Sequence, residues 1–263
     1  MTPATLVRLI AVMFALTAVQ SVVLLQFDWF GDAASDESGP IDTLFDVMIV
    51  LSSFVFSIVI VMLGYSVWKY RAKPGDESDG EPIHGNTKLE IAWTVIPTVI
   101  VLVGAAYSWI VLDDIEAQAD DRMPVNVTAQ QFKWTFEYPD SGVTSDELHV
   151  PVDRQLELHL TALDVIHAFW VPEWRIKRDL VPSGLGGDEI DNEVVVTPDT
   201  EGSYSVVCTE LCGLGHATMR APVIVESQAE FDQWTREQQS AAGESSGSSG
   251  GASGGNGTSG ASG

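Results

Sequence analysis

Basic residues are scarce in this chain: Lys and Arg together number 13 against 37 Asp and Glu, a formal charge of −24 over 263 residues. Recognition of a nucleic-acid backbone needs a basic stripe, so nucleic acid is excluded as a partner. Cysteine is scarcer still. Two residues in the whole chain are too few for a disulfide scaffold, and they lie close together as Cys208 and Cys212, which points to one local site. No internal repeat is present, which removes solenoid architectures. With 45% hydrophobic residues the chain has enough apolar material for a real core, so wholly disordered readings fail as well. The acid excess fits solubility adaptation to high salt, and hence a halophilic source. An electrostatic patch for a cationic partner is the other reading, although at molar salt a Debye length of ~3 Å leaves little room for steering.

Charge is missing altogether from three long stretches. Leu9 to Phe27, Val47 to Trp68 and Ile91 to Leu112 contain no Asp, Glu, Lys or Arg. The second and third hold 22 residues each, about 33 Å of helix at ~1.5 Å per residue, which matches a hydrocarbon core of ~30 Å. They predict a transmembrane hairpin over 41–115, with helices at about 44–68 and 91–112. The first run, within residues 1–28, reads either as a third span or as a cleaved signal peptide. Lys69, Arg71, Lys73 and Lys88 lie between the second and third runs, whereas 28–46 carries acids and no Lys or Arg. Positive charge marks cytoplasmic loops. Everything from Asp113 onward is therefore expected outside the cell, on a multi-pass protein of the cell membrane. Pro97 predicts a kink in the third run.

Over residues 121–239 the pattern changes to short β-branched stretches separated by turn residues. Val125–Thr128, Phe132–Tyr138, Leu156–Thr161, Glu193–Val196, Tyr204–Val207 and Val223–Val225 are the candidate strands, and their spacing predicts an antiparallel sandwich. Alternation places Phe132, Trp134, Phe136 and Tyr138 on one strand face. Residues 227–239 form a short terminal helix opened by Ser227, with Glu230 completing a capping box. The Gly/Ser-rich segment 240–263 reads as a disordered, linker-like tail.

Between Cys208 and Met219 the chain places two thiols, the carboxylate of Glu210, the imidazole of His216 and a thioether. Thiolate, imidazole and thioether together suit copper better than zinc. Gly213 and Gly215 let the loop fold tightly so that these groups converge. A distal imidazole would complete the set, and His167 in Asp164-Val165-Ile166-His167 is the candidate. Two extracytoplasmic cysteines four apart also read as a disulfide, and a lone Met or His is ordinarily packing. The joint occurrence favours the metal. His84, His149 and His159 have no such company and read as ordinary residues.

The motif Cys208-x-Glu210-x-Cys212-Gly213-x-x-His216-x-x-Met219, with Asp164-Val-x-His167 upstream, two membrane helices and an external β domain, resembles subunit II of the haem-copper cytochrome c oxidases. The resemblance spans roughly residues 41–239. It implies a membrane-anchored all-β protein: two or three N-terminal transmembrane helices, then an extracytoplasmic cupredoxin-like sandwich carrying the dinuclear copper centre CuA. In that family the positions of Cys208 and Cys212 supply bridging thiolates, His167 and His216 terminal imidazoles, Met219 a weak thioether, and Glu210 a backbone carbonyl. The carboxylate of Glu210 would also hold a magnesium ion shared with subunit I. The residue types agree with a dinuclear site, because a blue-copper site needs one thiolate and Cys208 is surplus to it.

The same resemblance assigns roles away from the metal. Family members commonly have Gln-Trp-x-Trp where this chain has Gln131-Phe132-Lys133-Trp134, and the first Trp receives the electron from cytochrome c. Phe132 stands in that position with Trp134 retained, so the donor is either cytochrome c or a small blue-copper protein. Glu90 matches the glutamate at the entrance of a proton channel in subunit I, although a carboxylate there also suits a helix N-terminus. Pro182-Ser183-Gly184 departs from the family's direct Pro-Gly. The implied function is electron acceptance for a terminal oxidase whose haem, in the partner subunit I, reduces dioxygen to water and pumps protons. The CuA subunit of a nitric oxide reductase is one alternative, and a membrane-anchored copper chaperone or thiol-disulfide protein is another. Quinol oxidases of the superfamily lack the two cysteines.

Overall fold

The computed structural model describes residues 2–72, 74–75, 80, 82, 84–185 and 192–247. Lys73 and the tail from 248 to 263 lie outside the described residues. The chain divides into two compact units, one of residues 1–33 with 37–117 and one of residues 34–36 with 118–263.

The first unit is helical. Helix α1 spans Pro3–Leu24, α2 spans Ser38–Tyr70 and α3 spans Thr87–Ile115. All three are long and apolar enough to cross a membrane, so the first run forms a third span-length helix. They are apolar all round, with side chains such as Phe14, Phe56, Val101 and Trp109 outward, the signature of a lipid-facing helix rather than an amphipathic one. The side chain of Thr2 caps α1 by accepting from the Thr5 N–H, with Pro3 in the first turn where its missing N–H costs nothing. Asn86 caps α3 in the same way, accepting from the Leu89 N–H at 3.2 Å. The α3 helix is unbroken through Pro97. Helices α1 and α2 meet through Phe14 and Phe54, with ring centroids 6.1 Å apart, and through the Ser57 hydroxyl donating to Gln20 Oε1 at 3.2 Å. Such polar pairs join helices where lipid offers no alternative partner.

The second unit is a two-sheet β domain. Its strands are β1 Met123–Gln130, β2 Lys133–Tyr138, β3 Val143–Ser145, β4 Leu148–Pro151, β5 Leu156–Ala162, β6 His167–Val171, β7 Ile176–Leu180, β8 Glu193–Val196, β9 Gly202–Cys208 and β10 Arg220–Glu226. One sheet runs β3-β2-β1-β5-β8 and the other β4-β10-β9-β6-β7. Strict alternation along β1 sends Met123, Val125, Val127 and Ala129 inward, where each large aliphatic side chain contributes about 1.5–3 kcal/mol by burial. The sandwich is mixed rather than purely antiparallel, because β1 pairs with β5 and β10 with β4 in parallel. Strands β3, β4, β6 and β7 were not among the sequence candidates. In β6 four of five residues are buried, so the two-residue period is erased. The middle of β7 is Lys-Arg-Asp and exposed.

Two further features depart from the sequence reading. Residues 34–36, between α1 and α2, belong to the β unit: Ser35 bridges Pro198, the Ala34 N–H donates to the Glu173 carbonyl at 2.9 Å, and Ala34 is buried. The terminal helix, α4, runs Gln228–Gly247 and so passes the boundary expected at 239. Its start is the expected capping box, with the Ser227 N–H donating to Glu230 Oε2 at 3.1 Å and the Glu230 N–H to Ser227 Oγ at 3.4 Å.

Candidate metal centre

The site is built by one hairpin and one neighbouring strand. Cys208 ends β9 and Arg220 begins β10, so the intervening loop is closed at its base, where the Cys208 N–H donates to the Met219 carbonyl at 3.1 Å. Strand β6 lies on the other side of β9, pairing Phe169 with Cys208, and His167 is its first residue. Within the loop a single 3-10 turn over His216–Thr218 is secured by the His216 N–H donating to the Gly213 carbonyl at 3.1 Å. That turn carries His216 back over Cys212. Gly213 has φ +137°, a backbone setting that favours glycine.

The donor atoms fall into two poles around the sulfur pair. Cys208 Sγ and Cys212 Sγ are 3.8 Å apart as free thiols, so the disulfide reading does not hold here. His167 Nδ1 lies 3.8 Å from Cys208 Sγ, and the Glu210 carbonyl lies 3.3 Å from the same sulfur. At the other pole His216 Nδ1 and Met219 Sδ are each 3.8 Å from Cys212 Sγ. With metal–sulfur bonds near ~2.3 Å and metal–imidazole bonds near ~2.0 Å, all of these spacings can be closed by ions seated between the groups. His167, Cys208, Cys212 and Met219 are buried, His216 is half-buried, and the Glu210 side chain is exposed. Burial, reinforced by the adjoining Cys208 thiol, pushes the Cys212 thiol well above the usual cysteine range. Metal binding at these sulfurs would displace the thiol protons.

The surroundings hold the donors in place. Asp164 Oδ1 accepts from His167 Nε2 at 2.9 Å, and Asp164 Oδ2 accepts from the Gln131 N–H at 2.8 Å. Burial opposes charge on Asp164, but donation from Gln131, His167 and Val165 outweighs it and holds the carboxyl below its usual range. The Gln131 side chain donates to the Cys212 carbonyl. Gln131 and Asp164 entered the sequence reading only as parts of the motifs Gln131-Phe132-Lys133-Trp134 and Asp164-Val-x-His167, with no role of their own.

The aromatic pair separates. Trp134 is buried, with its ring centroid 6.5 Å from that of His167 and 6.0 Å from that of Phe169. Phe132 does not share that buried face: it sits in the two-residue turn between β1 and β2 and is 41% exposed. Its ring covers the glycines of the ligand loop so closely that a Cβ on Gly215 would come within 2.5 Å of it. Glu90 lies in the helical unit, where its Oε1 accepts from the Asn86 N–H at 3.1 Å. His149 stacks on Trp234 of α4 at 4.2 Å. A second group, Glu157, His159 and Glu193, is half-buried, and Arg122 pairs with both carboxylates at 3.5 and 3.2 Å.

Comparisons with known proteins bear on both units. The transmembrane-domain family model of cytochrome c oxidase subunit II matches residues 22–111, and the periplasmic-domain model of the same subunit matches residues 142–228. Cytochrome c oxidase subunit 2 of Thermostichus vulcanus is 32% identical over 293 residues, covering 88% of this chain and 87% of that one. The protein of the same name from Synechocystis sp. is 32% identical over 271 residues, covering 82% and 80%. Among solved structures, the periplasmic domain of subunit II of cytochrome oxidase from Bradyrhizobium japonicum aligns at a TM-score of 0.43 with 26% identity, covering 48% of this chain and 98% of that one.

Proposed function

The chain belongs to the cytochrome c oxidase subunit II family, and from that premise we propose that it is the electron-receiving subunit of a haem-copper terminal oxidase whose metal centre is a dinuclear copper site, CuA. The observation that carries this reading is a buried pair of free thiols 3.8 Å apart with two imidazoles, a thioether and a backbone carbonyl gathered about it. Cys208 and Cys212 would bridge. His167, His216, Met219 and the Glu210 carbonyl would complete the set that holds the metal. The second thiolate is what a mononuclear blue-copper site has no use for. When bound, the copper pair supplies one-electron carriage with little change of geometry.

The rest of the work falls to the chain. The β-sandwich holds the ligands in a buried, water-poor pocket, and the three apolar helices anchor that domain at the extracytoplasmic face of the cell membrane. Phe132, exposed and laid over the ligand loop, offers an external donor a path to the His216 side, with Trp134 lying inward beside His167. The donor is cytochrome c or a small blue-copper protein. Electrons pass on to haem in subunit I, where dioxygen is reduced and protons are pumped. The exposed Glu210 carboxylate is free to share a magnesium ion with that subunit. Glu90 serves proton uptake at the opposite membrane face.

Mixing the copper-loaded full chain with reduced cytochrome c, or with a reduced blue-copper protein, tests this directly. Stopped-flow spectroscopy should show one of the two donors losing a single electron per chain, and Phe132→Ala should slow that transfer by about tenfold or more. Absence of electron transfer from both donors would overturn the electron-receiving role.

A further inference from the structure

We propose that Gln131 and Asp164 are positioning residues which together set both poles of the metal centre; the proposal rests on the dinuclear reading above. The bond from His167 Nε2 to Asp164 Oδ1 commits the imidazole proton to Nε2 and leaves the Nδ1 lone pair facing Cys208 Sγ. The carboxylate is itself fixed, because Oδ1 also accepts from the Val165 N–H at 2.7 Å and Oδ2 from the Gln131 N–H at 2.8 Å. Gln131 then turns its side chain the other way, and its Nε2 donates to the carbonyl of Cys212. One residue thus ties the His167 pole to the Cys212 pole, although β6 and the ligand loop are remote from it in sequence.

Two further observations argue that this tie is specific. Gln131 lies in the two-residue turn between β1 and β2, which sets its backbone N–H beside Asp164 and its side chain beside the carbonyl of Cys212. Gly213 leaves the space that the amide uses, since a Cβ there would lie 2.8 Å from Gln131 Nε2. The ligand loop is therefore shaped to receive this side chain.

The test uses the full chain in detergent with Asp164→Leu, Asp164→Asn and Gln131→Leu, each first shown by circular dichroism to be folded. In the metal-free protein, ring 15N shifts should show His167 protonated at Nε2 in the unsubstituted chain and in Asp164→Asn, whose amide oxygen still accepts, but a tautomer mixture in Asp164→Leu. With copper, Asp164→Leu should lose retention against a chelator by about 10–100-fold and lose equal sharing of the unpaired electron. Asp164→Asn should keep that sharing while its reduction potential rises, because a negative charge beside the oxidised centre is gone. Gln131→Leu should disturb the electron paramagnetic resonance (EPR) couplings of both imidazoles at once. Unchanged tautomer, retention and potential in Asp164→Leu would overturn the assignment. If the unsubstituted chain holds fewer than two coppers, the dinuclear reading fails instead, and the tautomer measurement still decides the role of Asp164.

Discussion

At the scale of single residues, the account turns on why two cysteines stand where one would serve a blue-copper site. Cys208→Ser removes a thiolate from the His167 pole but leaves Cys212, His216 and Met219 together. The variant should fold, bind one copper and show a blue-copper-like absorption spectrum; two coppers with an unchanged spectrum would mean that Cys208 does not bridge. Gly215 makes a separate prediction. Its substitution by Ala drives a Cβ into the Phe132 ring at 2.5 Å, an overpacking that should cost about 1–3 kcal/mol of stability. Removing the ring relieves the clash, so thermal unfolding of Gly215→Ala in a Phe132→Ala background should recover most of that loss. If the two losses simply add, the ring is not what the glycine accommodates. Residue identities such as Cys208, Cys212, His216 and Met219 were legible in the sequence because their chemistry is rare and closely spaced. The roles of Gln131 and Asp164 were not: both stand within motifs of the sequence, but only folding brings Gln131 onto Asp164 and the Cys212 carbonyl.

At the scale of elements, legibility followed pattern. Strands with one buried face, such as β1 and β5, announce themselves by alternation, whereas β6 is buried on both faces and β7 is charged through its centre. The expectation that Phe132 continued the β2 face failed because β2 begins one residue later than the alternation suggests, which leaves Phe132 in the turn. Helix α4 was found by its capping box, and that cap carries a pH dependence. The Ser227 hydroxyl, followed by the Ser227 N–H, holds the Glu230 carboxyl below its usual 4.5. A depressed carboxyl stabilises the fold above the unfolded value and loses that contribution as pH falls through the folded one. Amide exchange at the start of α4 should therefore accelerate as pH drops below about 4.5, after correction for intrinsic exchange. Glu230→Gln keeps an acceptor but no titration, and should flatten the response; an identical acid response in the variant would assign the effect to other groups.

At the scale of the whole molecule, the three charge-free runs and the β-rich remainder were the plainest features of the sequence, and they correspond to a helical unit and a two-sheet β unit. What no local pattern disclosed is the crossing of residues 34–36 into the β unit, since Ala-Ser-Asp carries no signal of its own. Glu90 tests how the membrane unit contributes to the complex. Its carboxylate accepts the Asn86 N–H, a service that Gln performs equally well, so Glu90→Gln separates capping from proton uptake. Oxygen consumption by the assembled oxidase should fall by about tenfold, below the ~10²–10⁴ that a positioned general acid or base supplies, with the copper spectrum untouched. Normal turnover would leave Glu90 as a cap alone. The central claim is the dinuclear centre itself, and copper content measured together with the EPR spectrum of the full chain addresses it most directly. Two coppers per chain, with one unpaired electron shared equally between both nuclei, is the result the donor geometry predicts; one copper, or none with Cys208 joined to Cys212 in a disulfide, would contradict it.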